Sequence, residues 1–145
     1  MIQALRGMKD ILPPESSLWG KLQGLASSVF SSFGYQLVIT PIVEKTELFV
    51  RSVGEGTDVV SKEMYVFTDR GGESICLRPE GTASIMRAYL NDPEAKSRSL
   101  KAWYWGPMFR YERPQKGRYR QFHQFGVEAI GSNSPYIDAE LIYML

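Results

Sequence analysis

The sequence predicts an α+β fold, an antiparallel sheet flanked by helices, for a chain of 145 residues. Two observations carry that expectation. Short β-branched and aromatic stretches come in pairs joined by glycine-bearing turns, as in hairpins. Segments with apolar residues three and four apart stand before, between and after those pairs, as in amphipathic helices.

In chain order, Leu18, Leu22, Leu25, Val29 and Phe33, widened by Trp19, Ala26 and Phe30, put one apolar stripe on a helix that starts after Pro13-Pro14 and that Gly34 can end. "YQLVIT" follows as a strand closed by Pro41, whose missing N–H suits a strand end. "VEKTELFVRSVG" predicts a short helix, and "VGEGTD" a turn, since it lacks both the Gly-Lys-Ser/Thr ending of a P-loop and the G-x-G-x-x-G spacing. "EMYVFTD" and "ESICLRP" flank Arg70-Gly71-Gly72 as a hairpin. Thr82 is the expected cap of a helix over "ASIMRAYLND" that Pro93 stops, and "PEAKSRS" makes a surface connection. A longer hairpin runs from "WYWGPMFRY" through "ERPQKG" into "RYRQFHQFGVEAI". Ser134-Pro135 then opens a last helix over "YIDAELIYML". Its apolar residues run to Leu145 with no glycine or basic last turn, which predicts that more of a longer protein covers it.

Composition sets outer bounds. An apolar share of 43% is enough for one compact domain. Lys plus Arg number 17 against 16 Asp plus Glu, so no global field draws the chain to nucleic acid or lipid, and an anion must be met locally. The lone Cys76 and the absence of a long apolar stretch near Met1 point to a reducing cytosol. No run approaches the length needed to span a bilayer.

Charge is concentrated in "FRYERPQKGRYRQFHQFG", residues 109–126. Average density would put about two cations there; the segment holds Arg110, Arg113, Lys116, Arg118 and Arg120 beside five aromatic rings. Strand alternation turns Arg118, Arg120, Phe122, Gln124 and Glu128 to one face, with Gly126 leaving a gap, and in a suitable register Arg110 and Glu112 join them. The neighbours Tyr119, Gln121, His123, Phe125, Val127 and Ala129 face the other way and, apart from Gln121 and His123, suit packing against helices. Guanidinium forks suit phosphate and carboxylate, a phenyl ring can stack on a base, and carboxylates accept from amines. Phosphate, ring and amine together describe a nucleotide and an amino acid. A solvated, charged hairpin is the plainer alternative. His123, without neighbouring Cys or His, is expected to be packed and hydrogen-bonded rather than catalytic or metal-bound, and Cys76 to be a small apolar strand residue. Trp103 and Trp105 share one strand face and Tyr104 the other, which suits core.

"FRYERPQKGRYRQFHQFGVE" resembles motif 2 of class II aminoacyl-tRNA synthetases in the form found in histidyl-tRNA synthetases. "LRPEGTA" at 77–83 resembles that family's histidine-binding strand, "GYQLVITPIVEKTELF" its motif 1, and "RGMKDILP" its N-terminal segment. The resemblance covers essentially the whole chain. It implies residues 1–145 are the N-terminal portion of a class II catalytic domain, with the third motif and the anticodon-binding domain absent. It also implies activation of histidine with ATP and Mg²⁺, transfer to tRNA(His), and a homodimer built partly through motif 1.

Carried over by position, Arg110 would be the catalytic arginine, bridging the histidine carboxylate and the α-phosphate. Glu112, Arg118 and Phe122 would complete the ATP site, on the adenine amine, the outer phosphates and the adenine face. Glu80, Thr82 and Gln124 would hold the α-amino group of histidine, and Glu128 would lie towards the imidazole. Taken alone, Glu80 equally suits a negative charge at the start of a helix. No protein metal ligands are expected. Two alternatives to a ligase stand: a non-catalytic relative acting as regulatory subunit of ATP phosphoribosyltransferase, and a simple RNA-binding or dimerisation module.

Overall fold

The computed structural model describes residues 2–54, 57, 59–94, 97–113 and 115–144, apart from the side chains of 53, 59 and 61. Four helices and six strands follow in the order α1 (Glu15–Ser32), β1 (Gln36–Leu37), β2 (Val43–Lys45), α2 (Thr46–Val53), β3 (Val66–Thr68), β4 (Ser74–Leu77), α3 (Thr82–Asn91), β5 (Leu100–Phe109), β6 (Gln121–Ile130) and α4 (Pro135–Met144), with one π-helical turn at Val59–Glu63. The expected sequence of helices and hairpins is present. The "VGEGTD" turn falls mostly on 55, 56 and 58, outside the described residues.

Two three-stranded sheets form, one ordered β1-β5-β6 and the other β2-β4-β3. All pairs are antiparallel except β1 with β5, where Gln36 and Leu37 run parallel to Ala102 and Trp103. The "YQLVIT" strand is shorter than its composition suggests: beyond the two paired residues only the Val38 N–H continues the ladder, to the Trp103 carbonyl at 2.9 Å. In "VEKTELFVRSVG" the first three residues pair as β2 before the helix begins.

The ten-residue β5–β6 ribbon is the central wall. Its register pairs Trp103 with Val127, Tyr104 with Gly126, Trp105 with Phe125 and Met108 with Phe122. Odd-numbered residues therefore share one face. There Trp103 packs with Phe30, Tyr35, Phe125, Val127 and Ala129, and with Leu141 and Met144 of α4. On the even face Ala102, Tyr104, Met108 and Phe122 pack with Ile85 of α3. His123 lies on the odd face packed between Trp19 and Trp105, at 4.6 and 5.1 Å between ring centroids.

The α1 stripe divides. Trp19, Ala26 and Phe30 meet the sheet, whereas Leu18 and Leu25 are 63% and 65% exposed and Leu22 is exposed with them. Spacing alone cannot rank the two halves of a wide apolar stripe; the aromatic half wins because its rings reach Trp103 and Trp105. Gly34 ends the helix at φ +81°, where a side chain would be strained.

Arg78 joins the sheets. It is buried just past β4, and its Nε donates to the Pro107 carbonyl at 3.0 Å while Nη1 donates to the carbonyl and hydroxyl of Thr40, both at 3.1 Å. Cys76 is buried beside Phe49 and Ala83, as a small apolar residue, and burial pushes its thiol up to about 11.

Tyr104 needs two glycines, since a Cβ on either Gly81 or Gly126 would overlap its ring. Gly24, on α1, has nothing within 4 Å of where a Cβ would stand. Gly126→Ala should therefore destabilise the chain by about 1–3 kcal/mol through overpacking, and Gly24→Ala should stabilise it by about 0.5–1 kcal/mol through helix propensity. Thermal melting of the two variants beside the parent chain checks both signs.

Candidate active site

The hairpin register decides which polar side chains meet. Because Met108 faces Phe122, residue 110 lies on the same side as that ring, and the Arg110 guanidinium stands 5.2 Å from the Phe122 centroid. Arg110 closes the ribbon with its N–H on the Arg120 carbonyl at 3.0 Å, and its Nε donates to the Pro79 carbonyl at 2.9 Å. The second bond aims the fork, leaving its terminal nitrogens for other acceptors. Phe122 also packs into the even-face core, so its ring is held on one side by Met108 and its neighbours and overlooked by Arg110.

Along β6 the even positions continue through Gln124, opposite Gly106, and Glu128, opposite Ala102, at steps of roughly 7 Å. The gap foreseen at Gly126 is filled by the Tyr104 ring. The Thr82 hydroxyl donates to Glu128 Oε1 at 2.7 Å, and Glu80 accepts from the N–H groups of Thr82 and Ala83 at 2.6 and 3.0 Å. This corrects the capping assignment. Gly81 is the N-cap and Thr82 the first helical residue, while the Glu80 carboxylate satisfies two of the orphan donors of α3 because the chain turns at Gly81 and brings it back over them. Burial pushes the Glu128 carboxyl above its ordinary value, Glu80 adds to the rise, and the Thr82 hydroxyl opposes it.

Glu112 and Arg118 face each other across the root of the loop, with Oε2 and Nε 3.4 Å apart. The Arg118 side chain is 65% exposed and free to reach outward. Among the described residues three buried side-chain oxygens have no hydrogen-bond partner: Ser84 Oγ on α3, Gln124 Oε1 on β6, and Glu112 Oε2, which has only its ion pair with Arg118. Buried polar atoms are rarely left so, and Gln124 lies on the ribbon that also carries Phe122.

Arg120 departs from the expected face. β6 begins only at Gln121, so strand alternation does not extend to 118 and 120; Arg120 instead lies over the Tyr111 ring at 3.9 Å and donates from Nε to the Glu112 carbonyl at 3.2 Å. Arg113 and Lys116 are exposed. Glu80 and Thr82 border a groove of about 930 Å³ between α2 and α3, and Phe122 borders another of about 280 Å³ with Trp19, Tyr119 and His123. Tyr104 was missed as a neighbour of the site. Its phenol is pushed up by burial, a rise the Thr82 hydroxyl opposes and Glu128 and Glu80 add to; the paired glycines at 81 and 126 were the available signal.

A wall of antiparallel ribbon with helices on both faces and a charged hairpin loop at one end is the class II synthetase-like fold. A family model for histidyl-tRNA synthetase matches residues 7–145. Apo histidyl-tRNA synthetase of S. aureus aligns over 99% of this chain at 41% identity and a TM-score of 0.79, covering 33% of that chain. An ATP phosphoribosyltransferase regulatory subunit/histidyl-tRNA synthetase from Bacillus halodurans C aligns over 99% at 25% identity and TM-score 0.83, covering 36% of that chain. A histidine–tRNA ligase subunit from Alicyclobacillus acidocaldarius, at 23% identity and TM-score 0.80 over 99%, shares the fold and is covered to 40%. This chain belongs to the histidyl-tRNA synthetase family and spans about a third of the length of the solved structures it matches. Among the described residues no helix is long and apolar enough to cross a membrane.

Because the Glu128 carboxyl is raised in the fold, the protonated form is the one the fold favours. Its contribution to stability is fully present below the ordinary value near 4.5 and is lost as pH rises through the higher folded value. Glu128→Gln, which keeps an acceptor for Thr82, should flatten that fall, so that melting curves between pH 4 and pH 7 lose less stability in the variant than in the parent chain.

Proposed function

We propose that residues 1–145 are the N-terminal portion of the catalytic domain of a histidine–tRNA ligase, carrying motifs 1 and 2. The observation that supports it most is the convergence of Arg110 and Phe122 on one face of the ribbon, in line with Gln124 and with the Glu80–Thr82–Glu128 cluster. A cation with its Nε already bound, a ring and a row of acceptors match an adenylated amino acid along its length.

In this reading the substrate is the magnesium salt of ATP together with histidine. A histidine carboxylate oxygen attacks the α-phosphorus as the bond to pyrophosphate breaks, giving histidyl-adenylate. The terminal ribose of tRNA(His) then attacks the carbonyl carbon and AMP leaves. Negative charge gathers on the α-phosphate oxygens in the first step, and Arg110 stabilises it; no protein nucleophile is required. Arg118 meets the outer phosphates, Glu112 accepts from the adenine amine, and Phe122 offers its ring to the base. Glu80, Thr82 and Gln124 receive the α-ammonium group, which would give the buried Gln124 oxygen its missing donor. Glu128 faces the imidazole.

The rest of the assembly follows from unpartnered surface. β6 is the outermost strand of its sheet and can accept further strands of the parent protein. Tyr136, Ile142 and Tyr143 of α4 are exposed and await cover. Leu18, Leu22 and Leu25 of α1, with Leu37 and Ile39 beyond it, form the apolar surface of a motif 1 homodimer. A cytosolic protein is implied.

The regulatory-subunit reading has one observation in its favour, the double name of the relative at 25% identity. Histidine-dependent ATP–pyrophosphate exchange by the full-length protein separates the two. We expect exchange, reduced about a hundredfold in kcat by Arg110→Ala, equivalent to roughly 3 kcal/mol. No exchange by the intact protein would remove the ligase. The 145-residue chain alone should show no turnover.

A further inference from the structure

The N-terminal "RGMKDILP" stretch has no part in the site as described, yet it is bonded to the root of the motif 2 loop. The Gly7 carbonyl accepts from the N–H groups of Arg120 and Gln121, at 2.7 and 3.2 Å. Gly7 stands at φ +84°, and a Cβ there would come within 2.9 Å of Arg120 Cγ and 3.1 Å of its Cβ and Cδ. The Arg120 stem thus lies flat on a residue that must be glycine for reasons of both dihedral and space.

What Gly7 supports, Arg120 passes on. Its guanidinium covers the Tyr111 ring at 3.9 Å and its Nε reaches the Glu112 carbonyl at 3.2 Å. Tyr111 is held in turn by its N–H on the Glu63 carbonyl at 2.6 Å and by the Tyr65 ring at 5.5 Å. Arg120 is therefore committed on three sides, unlike the exposed Arg118, and its planar group serves as a spacer between the N-terminal segment and the backbone of Glu112.

We propose that Gly7 and Arg120 form a latch that fixes the position of Glu112, making the N-terminal segment a positioning element for adenine recognition. This rests on the ATP-site reading given above. Arg120 acts through Glu112 and Tyr111 by shape, so charge alone does not replace it.

The test uses the full-length protein and two readouts. In histidine-dependent ATP–pyrophosphate exchange, Gly7→Ala and Arg120→Lys should each raise KM for ATP about tenfold, the weight of 1.4 kcal/mol, with KM for histidine changed less than twofold. Tyr111→Phe, which keeps the ring, should match the parent. In backbone hydrogen exchange, Gly7→Ala should speed residues 111–119 about tenfold while β3 and β4 keep their protection. The latch is overturned if Arg120→Lys restores the ATP KM that Arg120→Ala loses, since charge would then suffice. It is also overturned if Gly7→Ala shifts both KM values together or leaves hydrogen exchange at 111–119 unchanged. If the parent protein performs no exchange, the enzymatic reading falls, and the latch stands or falls on hydrogen exchange alone.

Discussion

The junction at Arg78-Pro79 carries the rest of the structure. Two small sheets, neither large enough to bury a core alone, meet where β4 ends and β5 ends, and main-chain bonds from Arg78 run to both: its N–H to the Ile42 carbonyl and its carbonyl from the Phe109 N–H, each at 3.0 Å. The guanidinium then reaches Thr40 and Pro107. Hydrogen bonds from a charged donor contribute about 1.5–3 kcal/mol each, and a buried arginine is tolerable only when its donors are used in this way. Burial still lowers its pKa. Gly106 leaves the space: a Cβ there would overlap Arg78.

The same junction aims the site. Pro79 has no N–H, and its carbonyl is the acceptor for Arg110 Nε; one residue further on, Glu80 turns back over the start of α3. Three consecutive residues thus serve the sheet contact, the Arg110 side chain and the helix that brings Thr82 to Glu128. A shift at Arg78 would move all three, which couples the spacing between Arg110 and Glu128 to the fit of the two sheets. Positions set by backbone hydrogen bonds at strand ends hold functional groups more tightly than positions on free loops.

Much of this was legible in the residues, and the failures have physical causes. Alternation over residues 121–130 gave the two faces of β6, and Trp103 against Tyr104 gave the two faces of β5, because period two survives wherever a strand is paired on its full length. It failed at Arg120, where no strand exists: the loop geometry there depends on Gly7, more than a hundred residues earlier, and no local pattern reports such a contact. The split of the α1 stripe was likewise invisible, since leucine and tryptophan are equally apolar in a periodicity count. Thr82 looked like a cap because its type favours caps, whereas Glu80, two residues back, has the longer reach and the full charge. The register of the β5–β6 ribbon, on which the meeting of Arg110 and Phe122 depends, could only be guessed.

The polar groups on the even face are arranged against the stability of the chain itself. Glu128 is partly buried and Glu80 further disfavours its ionisation, and the Gln124 oxygen is buried without a hydrogen-bond partner. A structure selected only to fold would place apolar side chains at these positions, since each lost partner costs about 1–3 kcal/mol. Under the function proposed above, a bound molecule supplies what the protein withholds: an ammonium beside Glu128 and a donor for the Gln124 oxygen. Under that proposal the instability and the specificity of the ribbon are one property, because the groups that cost stability in the unliganded chain are the ones an α-ammonium ligand would satisfy.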